Sequence, residues 1–409
     1  MTLAESNLPT EKLPAILDKF TVWLEKHGET SWDHQSFYAG PVGRRAKGLY
    51  YKNKLLGTAA VAPMVFGEAF FPPVRRLFHQ RIRLPIADAH YAMGFAFLNE
   101  ASGKSQHHER AVHFLHVLRD TCCPGFQDAG WGYPFDWVWM GGTIKAQTPL
   151  ITTTPYAFEA LLQVQQLQPR DEWRNLIAST VRHVTTDIKD FKYSATATTC
   201  SYTPTSEGGV VNASSYRAAM LVMAGKFLGE ERLLNIAAGN VNFVLESQSP
   251  DGSWPYAKDG RRDFVDHFHT CFVMKGLAKV LAVTGDLRIH SALERGLEYY
   301  LKNLFGEDGM PRPFSRAPRL TVYKCELYDC AECINLCLLL RPLFPQLNQT
   351  LATVVNGILK DWIKPDGSFR SRKLILGWDN VPMHRWAQSQ MFRSLAYYLR
   401  ESKIGGLKP

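Results

Sequence analysis

A turn signature that returns at a fixed period constrains this chain more than any other feature of its sequence. Gly130-Trp131-Gly132, Asp251-Gly252-Ser253-Trp254, Asp308-Gly309-Met310-Pro311 and Asp366-Gly367-Ser368-Phe369 punctuate it. Gly252, Gly309 and Gly367 follow one another at 57 and 58 residues, and Gly130 precedes Gly252 by 122, two steps of 61. A degenerate copy, Asp190-Phe191-Lys192-Tyr193, falls at the midpoint. A period of this length marks an architecture in which one supersecondary unit recurs.

Two helical patterns fill each interval. Residues 212–228 and 230–248 precede the Asp251-Gly252 turn, 269–284 and 287–305 precede Asp308-Gly309, and 326–340 and 346–363 precede Asp366-Gly367. Breakers separate the members of each pair: Gly229-Glu230, Gly285-Asp286 and Pro342 through Pro345. The first member is apolar nearly all round, as in 218–224 and 333–340, and the second is amphipathic, as in 293–301. A helix buried on every side is an inner helix, and one with a polar stripe is an outer helix. The pattern predicts an all-α protein, an (α/α)6 toroid of alternating inner and outer helices. Further inner helices are expected at 86–98, 154–164 and 385–398, an extra helix at 55–70, and a ring-closing outer helix at 13–26. The expectation is one domain over residues 1–409, with 1–84 irregular apart from the closing helix and 403–409 a short tail.

Composition fits a large core: 45% of residues are hydrophobic and 21% charged. No run of eighteen apolar residues and no N-terminal apolar segment with a cleavage site is present, so a cytoplasmic protein is expected, with peripheral membrane contact left open. Of the eight cysteines, Cys271, Cys325, Cys330, Cys333 and Cys337 lie in apolar helical stretches and read as small buried hydrophobes. Cys330-x-x-Cys333 lacks the partners of a four-ligand set, so no metal and no cofactor is expected. The net charge of +9 points to acidic partners. Lys and Arg are scattered rather than clustered, which makes nucleic acid the weakest of these and a small-molecule or oligosaccharide substrate of anionic character the better fit.

Each Asp-Gly turn leads into the N-terminal end of the next inner helix, so those ends face one mouth, where unpaired N–H groups favour an anionic ligand. Aligning the repeats brings His90, Thr154, Asn212, His269, Asp329 and Arg385 to similar positions. Thr, Asn and Asp are also preferred helix caps, and capping is the plain alternative. The densest cluster is Asp263-Phe264-Val265-Asp266-His267-Phe268-His269, where Asp266 and His269 share a helix face and Asp266 can orient the imidazole as a base. Asp329, beside Tyr328, enters an apolar helix and reads as the acid, because desolvation raises a carboxyl pKa. His384 is the substitute proton-handling partner. Arg385 is a candidate clamp for a carboxylate or phosphate, equally readable as an exposed charge. Trp386, Tyr216 and His90 complete the candidate binding set with Asn212 and Tyr328. Tyr133, Asp136, Trp137, Trp254 and Tyr256 crowd the turns, where aromatic faces can shelve a sugar ring or, for Trp131 and Trp254, plug the gaps between hairpins.

At these residues several resemblances enter. Gln248-x-x-Asp251-Gly252-Ser253-Trp254 resembles the QW repeat of squalene-type cyclases. Tyr328-Asp329-Cys330-Ala331-Glu332 resembles a shortened oxidosqualene cyclase acid motif, and residues 264–277 resemble the zinc-histidine segment of protein prenyltransferase β subunits. No DxDD motif occurs, and Asn212 and Ser214 stand where the prenyltransferase Asp and Cys zinc ligands would be. Over residues 30–400 the chain is more similar to a bacterial toroid family associated with exopolysaccharide biosynthesis. Gly252-Ser253-Trp254-Pro255-Tyr256, followed by Asp266-His267-Phe268-His269-Thr270, carries that resemblance. That family is similar in architecture to the (α/α)6 sugar enzymes: unsaturated uronyl hydrolases, N-acylglucosamine epimerases and uronyl epimerases or lyases. The resemblance implies acid–base chemistry on an anionic sugar or glycan in polysaccharide biosynthesis. The alternatives are a terpenoid or prenyl-diphosphate enzyme with Asp329 as acid, which would carry a deep aromatic tunnel and an apolar docking patch, and a non-catalytic glycan-binding toroid.

Overall fold

The computed structural model describes residues 10–78 and 80–404. Helix α1 (Leu13–His27) is followed by α2 (Ser36–Ala39), α3 (Pro41–Lys52), α4 (Lys54–Phe70) and α5 (Arg75–Phe78). Five hairpins come next: α6 (Pro85–Ser102) with α7 (Ser105–Asp120), α8 (Thr154–Leu167) with α9 (Asp171–Thr186), α10 (Val211–Leu228) with α11 (Glu231–Glu246), α12 (His267–Thr284) with α13 (Leu287–Asn303), and α14 (Leu327–Leu340) with α15 (Leu347–Asp361). Helix α16 (Ser389–Ile404) ends the described chain. The even-numbered helices from α6 to α16 pack each on the next, and α16 packs on α6, closing an inner ring of six. The odd-numbered helices α7–α15 form the outer layer, and α1 lies against α16 as the sixth outer helix. This is the (α/α)6 toroid that the repeat predicts.

Burial follows the sequence pattern. On α10, Ala218, Met220, Leu221 and Val222 are all buried, whereas on α13 Ile289, Leu293, Leu297 and Tyr300 are buried and Arg288, Glu294, Arg295 and Glu298 face out. The Asp-Gly signature has a backbone cause: Gly252, Gly309 and Gly367 sit at φ +89°, +71° and +93°, a left-handed conformation that costs L side chains energy. Asp251 and Asp366 brace two of these turns, each accepting from the amide and hydroxyl of the serine two residues on, at 3.0 and 2.7 Å. Ring closure depends on close helix approach, since a Cβ on Gly94 of α6 would lie 2.6 Å from the Phe392 ring of α16. Phe20 of α1 stacks on Phe369 and Phe392 at 5.1 and 5.0 Å, which ties the start of the chain to its end.

Short antiparallel ribbons connect the hairpins: β1 (Trp137–Trp139) with β2 (Gly142–Ile144), β3 (Asp190–Lys192) with β4 (Thr198–Cys200), β5 (Val265–Asp266) with β6 (Phe314–Arg316), and a three-stranded sheet of β7 (Tyr323–Glu326), β8 (Arg372–Leu374) and β9 (Trp378–Asp379). Residues 28–84 hold more helix than expected, four segments rather than the one at 55–70. The last inner helix also departs from expectation: its first turn, His384–Gln388, is a π-helix before α16 proper, and a π turn often marks a functional stretch. The tail expected at 403–409 is helical at Lys403 and Ile404, and the rest lies outside the described residues. All eight cysteines are thiols, and Cys330 and Cys333 pack in the core.

Along the barrel axis the inner helices meet in a charged layer. Lys275 of α12 pairs with Glu332 of α14, and Glu159 of α8 pairs with Lys279 and, at 3.5 Å, with Arg393 of α16. A cavity of about 230 Å³ lies at the N-terminal ends of the inner helices. A second, of about 270 Å³, is lined by residues further along the inner helices, among them Met93, Glu159, Lys279 and Arg393.

Candidate active site

The first cavity is walled by aromatic rings with a single imidazole set among them. Tyr133 and Trp137 come from the segment after the first turn, Tyr156 from α8, Tyr216 from α10, Tyr256 and Phe264 from the loop before β5, Phe268 and Phe272 from α12, Tyr328 from α14, and Trp386 from the π turn. Tyr328 and Trp386 stack nearly parallel, 5.6 Å between centroids. The hydroxyls of Tyr156 and Tyr216 share a 2.7 Å hydrogen bond, and Thr152 donates to the Tyr202 hydroxyl at 3.0 Å. Burial drives the phenols of Tyr156, Tyr216, Tyr202 and Tyr328 well above their ordinary range, and that of Tyr256 to about 12. They are neutral donors at any physiological pH. Asn212 lines the same wall with an Oδ1 that has no hydrogen-bond partner among the described residues.

His269 is the titratable group with an open valence here. Asp266 caps α12 by accepting from the His269 amide at 2.9 Å, and its other oxygen accepts from His269 Nδ1 at 2.6 Å. Pairing of β5 with β6, which sets Asp266 opposite Phe314, holds the carboxylate, and Thr270 donates to the Asp266 carbonyl at 2.6 Å. With the proton fixed on Nδ1, Nε2 is left as a lone-pair acceptor at the cavity wall, without a partner among the described residues. The Tyr256 ring meets His269 edge-on at 4.6 Å and limits its rotation.

Several expected site residues lie elsewhere or are already committed. Arg385 does line the cavity, but its fork is occupied: Nε and Nη2 donate to Asp33 at 2.9 and 2.7 Å. Asp33 neutralises the guanidinium, which also lies over the Trp386 and Tyr133 rings at 4.1 and 4.8 Å. The substrate clamp expected of it is therefore corrected to a buried structural ion pair at the cavity wall. His384 is not a proton-handling partner. Its Nε2 donates to the Gly28 carbonyl at 3.0 Å, its Nδ1 accepts from Tyr91, and burial lowers its pKa to about 3. Asp329 is fully buried and absent from the cavity wall, its oxygens have no hydrogen-bond partner among the described residues, and burial with neighbouring Glu326 holds its carboxyl well above the usual range. The raised pKa expected of it is present, but the access to substrate is not.

His90 lies beneath the wall rather than in it, 4.5 Å from the Tyr156 ring and accepting from Arg393 at 3.3 Å. Asp136 accepts from the Ala146 amide at 3.0 Å and pairs with Arg44 at 2.7 Å, so it fastens the β1–β2 ribbon to α3. Trp254 plugs its hairpin: the indole donates to the Val244 carbonyl at 2.9 Å, and a Cβ on Gly296 would meet the ring at 2.3 Å. Trp131 does the same, donating to Leu118 at 2.8 Å. His269, Asn212, Tyr216, Tyr328, Trp386, Tyr133, Trp137 and Tyr256 are brought together as expected. Gln35, Ile86, Thr152, Tyr156, Tyr202, Phe264, Phe268 and Phe272 also line the wall and were not singled out, although Tyr156 sits two residues into an inner helix whose start was legible.

Two cations stand at the cavity rim. Arg262, which pairs with Asp259 at 2.5 Å, lies over the Tyr256 ring at 5.3 Å, and Lys47 lies 5.9 Å from the Trp137 ring. Burial, with Arg319 and Arg385 nearby, pushes the Lys47 ammonium down to about 7. Among the described residues no three His, Cys, Asp or Glu side chains come together as a metal site.

No protein-family model and no curated protein matches the chain in sequence. Solved structures match its fold. A possible member of the GH105 family from Salmonella enterica subsp. enterica serovar Paratyphi A superposes with a TM-score of 0.65 at 11% identity, over 98% of this chain and 97% of that one. Cellobiose 2-epimerase from Bacillus thermoamylovorans B4167 gives 0.63 at 11% identity, over 78% and 88%, and a glycosyl hydrolase family 88 protein from Bacteroides vulgatus gives 0.60 at 9%, over 96% and 98%. What these likenesses share with the chain is the (α/α)6 toroid of sugar enzymes.

Proposed function

We propose that this protein is a cytoplasmic carbohydrate-active enzyme that abstracts a carbon-bound proton from an anionic sugar or glycan intermediate. It then either returns one to the carbon, as epimerases do, or forms a C=C bond while the departing glycosidic oxygen takes up a proton, as lyases do. The observation that carries the proposal is the Asp266–His269 pair, with Nδ1 bound and Nε2 open to an aromatic-walled cavity. A tautomer fixed in this way makes a general base, and the neutral phenols around it are suited to receive charge that develops on a substrate oxygen. Aromatic faces suit a sugar ring, the cations at the rim suit its anionic group, and the fold neighbours named above include a cellobiose 2-epimerase. Hydrolysis by a carboxylate pair is disfavoured because no Asp or Glu among the described residues lines the cavity.

An isoprenoid substrate is the second reading, favoured by the aromatic wall and by exposed apolar surface nearby. It needs a strong acid in the cavity, and Asp329 is sealed from it. The test is solvent exchange. Incubation in D2O with reducing disaccharides, N-acetylhexosamines and uronic-acid glycans should, in at least one class, label a carbon-bound position or generate an unsaturated product with the wild type, and do neither with His269→Ala. Hydrolytic cleavage with neither exchange nor an unsaturated product, or equal turnover by both proteins, overturns the assignment.

A further inference from the structure

The largest departure from a soluble surface lies in residues 41–78, beside the cavity. Leu55 and Leu56 on α4, Phe66 near its end, Phe71, and Leu77 and Phe78 on α5 are 57–83% exposed. From 55 to 67 the chain carries no charge. Phe66 packs against Phe70 and Phe71, with ring centroids 4.8 and 6.1 Å apart, and large exposed apolar side chains gathered on one short segment mark an interaction site.

The segment is held in this pose. Glu68 and Arg75 point inward and form a buried cluster with Arg372 and Asp379 of β8 and β9: Arg75 donates to Glu68 at 2.8 and 2.6 Å and to Asp379 at 2.9 Å, and Arg372 to Asp379 at 2.9 Å. Buried charges of this density persist only when paired in fixed geometry. Every charge on α4 beyond Lys54 is thereby turned into the protein, and the apolar face is turned out. The tip of the β8–β9 hairpin, whose base belongs to this cluster, adds exposed Ile375 and Leu376.

Two further observations identify the occupant. No helix of the described residues is long and apolar enough to cross a membrane, but α4 and Pro72–Phe78 together reach that composition and are bent by 118°. The buried Glu68–Arg75–Asp379 cluster holds the bend against the rest of the protein, so the apolar side chains would meet a bilayer from one side. The only acidic residue from 41 to 78 is the buried Glu68, whereas Arg45, Lys52, Lys54 and Arg76 are exposed around the apolar face. A symmetric contact with a second copy would set this basic rim against itself. An anionic lipid surface complements it.

From these observations we infer that the α3–α5 segment is a docking surface for an anionic lipid bilayer. Apolar side chains of α4 and α5 enter the headgroup–acyl boundary and the basic residues pair with lipid phosphates. The surface adjoins the cavity mouth through α3, whose Arg44 and Lys47 touch the β1–β2 region. The inference stands apart from the chemistry assigned to His269.

Flotation of the full chain with phosphatidylcholine vesicles, with and without phosphatidylglycerol, tests it. The wild type should float with anionic vesicles and at least about tenfold less with neutral ones. Leu55→Glu combined with Phe71→Glu should abolish flotation without lowering the melting temperature, since both side chains are exposed. Lys52→Glu with Lys54→Glu should weaken it about tenfold and flatten its salt dependence. A wild type that floats with neither composition, or flotation unchanged in the Leu55/Phe71 variant, overturns the inference. So does a dimer in sedimentation that the same variant dissociates, which would assign the face to a second copy.

Discussion

The two ends of the barrel axis hold cavities of nearly equal size, about 230 and 270 Å³, and differ in what their polar groups are doing. At the N-terminal ends of the inner helices the wall is aromatic, its one guanidinium is neutralised by Asp33, and His269 keeps a free ring nitrogen. At the other end the charges are numerous and all engaged: Lys275 with Glu332, Lys279 and Arg393 with Glu159, Arg400 with Glu100. Size does not separate the two ends. A proton-accepting ring nitrogen without a partner among the described residues sets the His269 end apart.

The strongest way to break this contrast is His269→Ala. Loss of a positioned general base should lower turnover about 10²- to 10⁴-fold with an unchanged melting curve. Activity at the wild-type level would make the aromatic end as inert as the other. Glu159→Ala probes the opposite end. It leaves Lys279 and Arg393 facing each other without their carboxylate and should destabilise the fold by about 3 kcal/mol in denaturant titration, while turnover per folded molecule stays at the wild-type level. A matching loss of turnover would show that the charged end takes part in function.

Asp266→Asn sharpens the picture within the active end. The imidazole remains but its tautomer is no longer dictated, so turnover should fall by roughly tenfold to a hundredfold, less than for His269→Ala. The smallest effect is a pH dependence. His384 has its folded-state pKa lowered to about 3 from 6.5, so on acidification the unfolded chain takes up the proton first. Its contribution to stability is present above pH 6.5 and is lost progressively as pH falls toward 3. His384→Gln should lower stability at neutral pH and flatten the decline of the unfolding midpoint across that window. An equally steep decline in the variant would show that other groups carry the acid sensitivity.

The repeat made the architecture legible, because a left-handed glycine turn, an all-apolar inner helix and a one-sided outer helix are each local properties of a short stretch of chain. The same period located the helix starts at which most of the cavity wall sits, His269, Asn212 and Tyr328 among them. Alignment by repeat could not tell which polar starts face the cavity. Thr154 and Asp329 occupy equivalent positions, and both are turned into the packing between helices. Within residues 28–84, which lie outside the repeat, only the helix at 55–70 was legible, and there the decisive partners hide: Asp33 for Arg385, Gly28 for His384, Arg44 for Asp136, Glu68 and Arg75 for the outward turn of α4.

The sequence by itself determined the ring of hairpins, the inner and outer roles of its helices, and the pairing of Asp266 with His269, all set by spacing along one element. Only the tertiary structure decided which charges are spent on internal partners and which remain available. A side chain's ionisation and freedom depend on burial and on partners as much as 356 positions away, as for Gly28 and His384. Local periodicity carries no record of either.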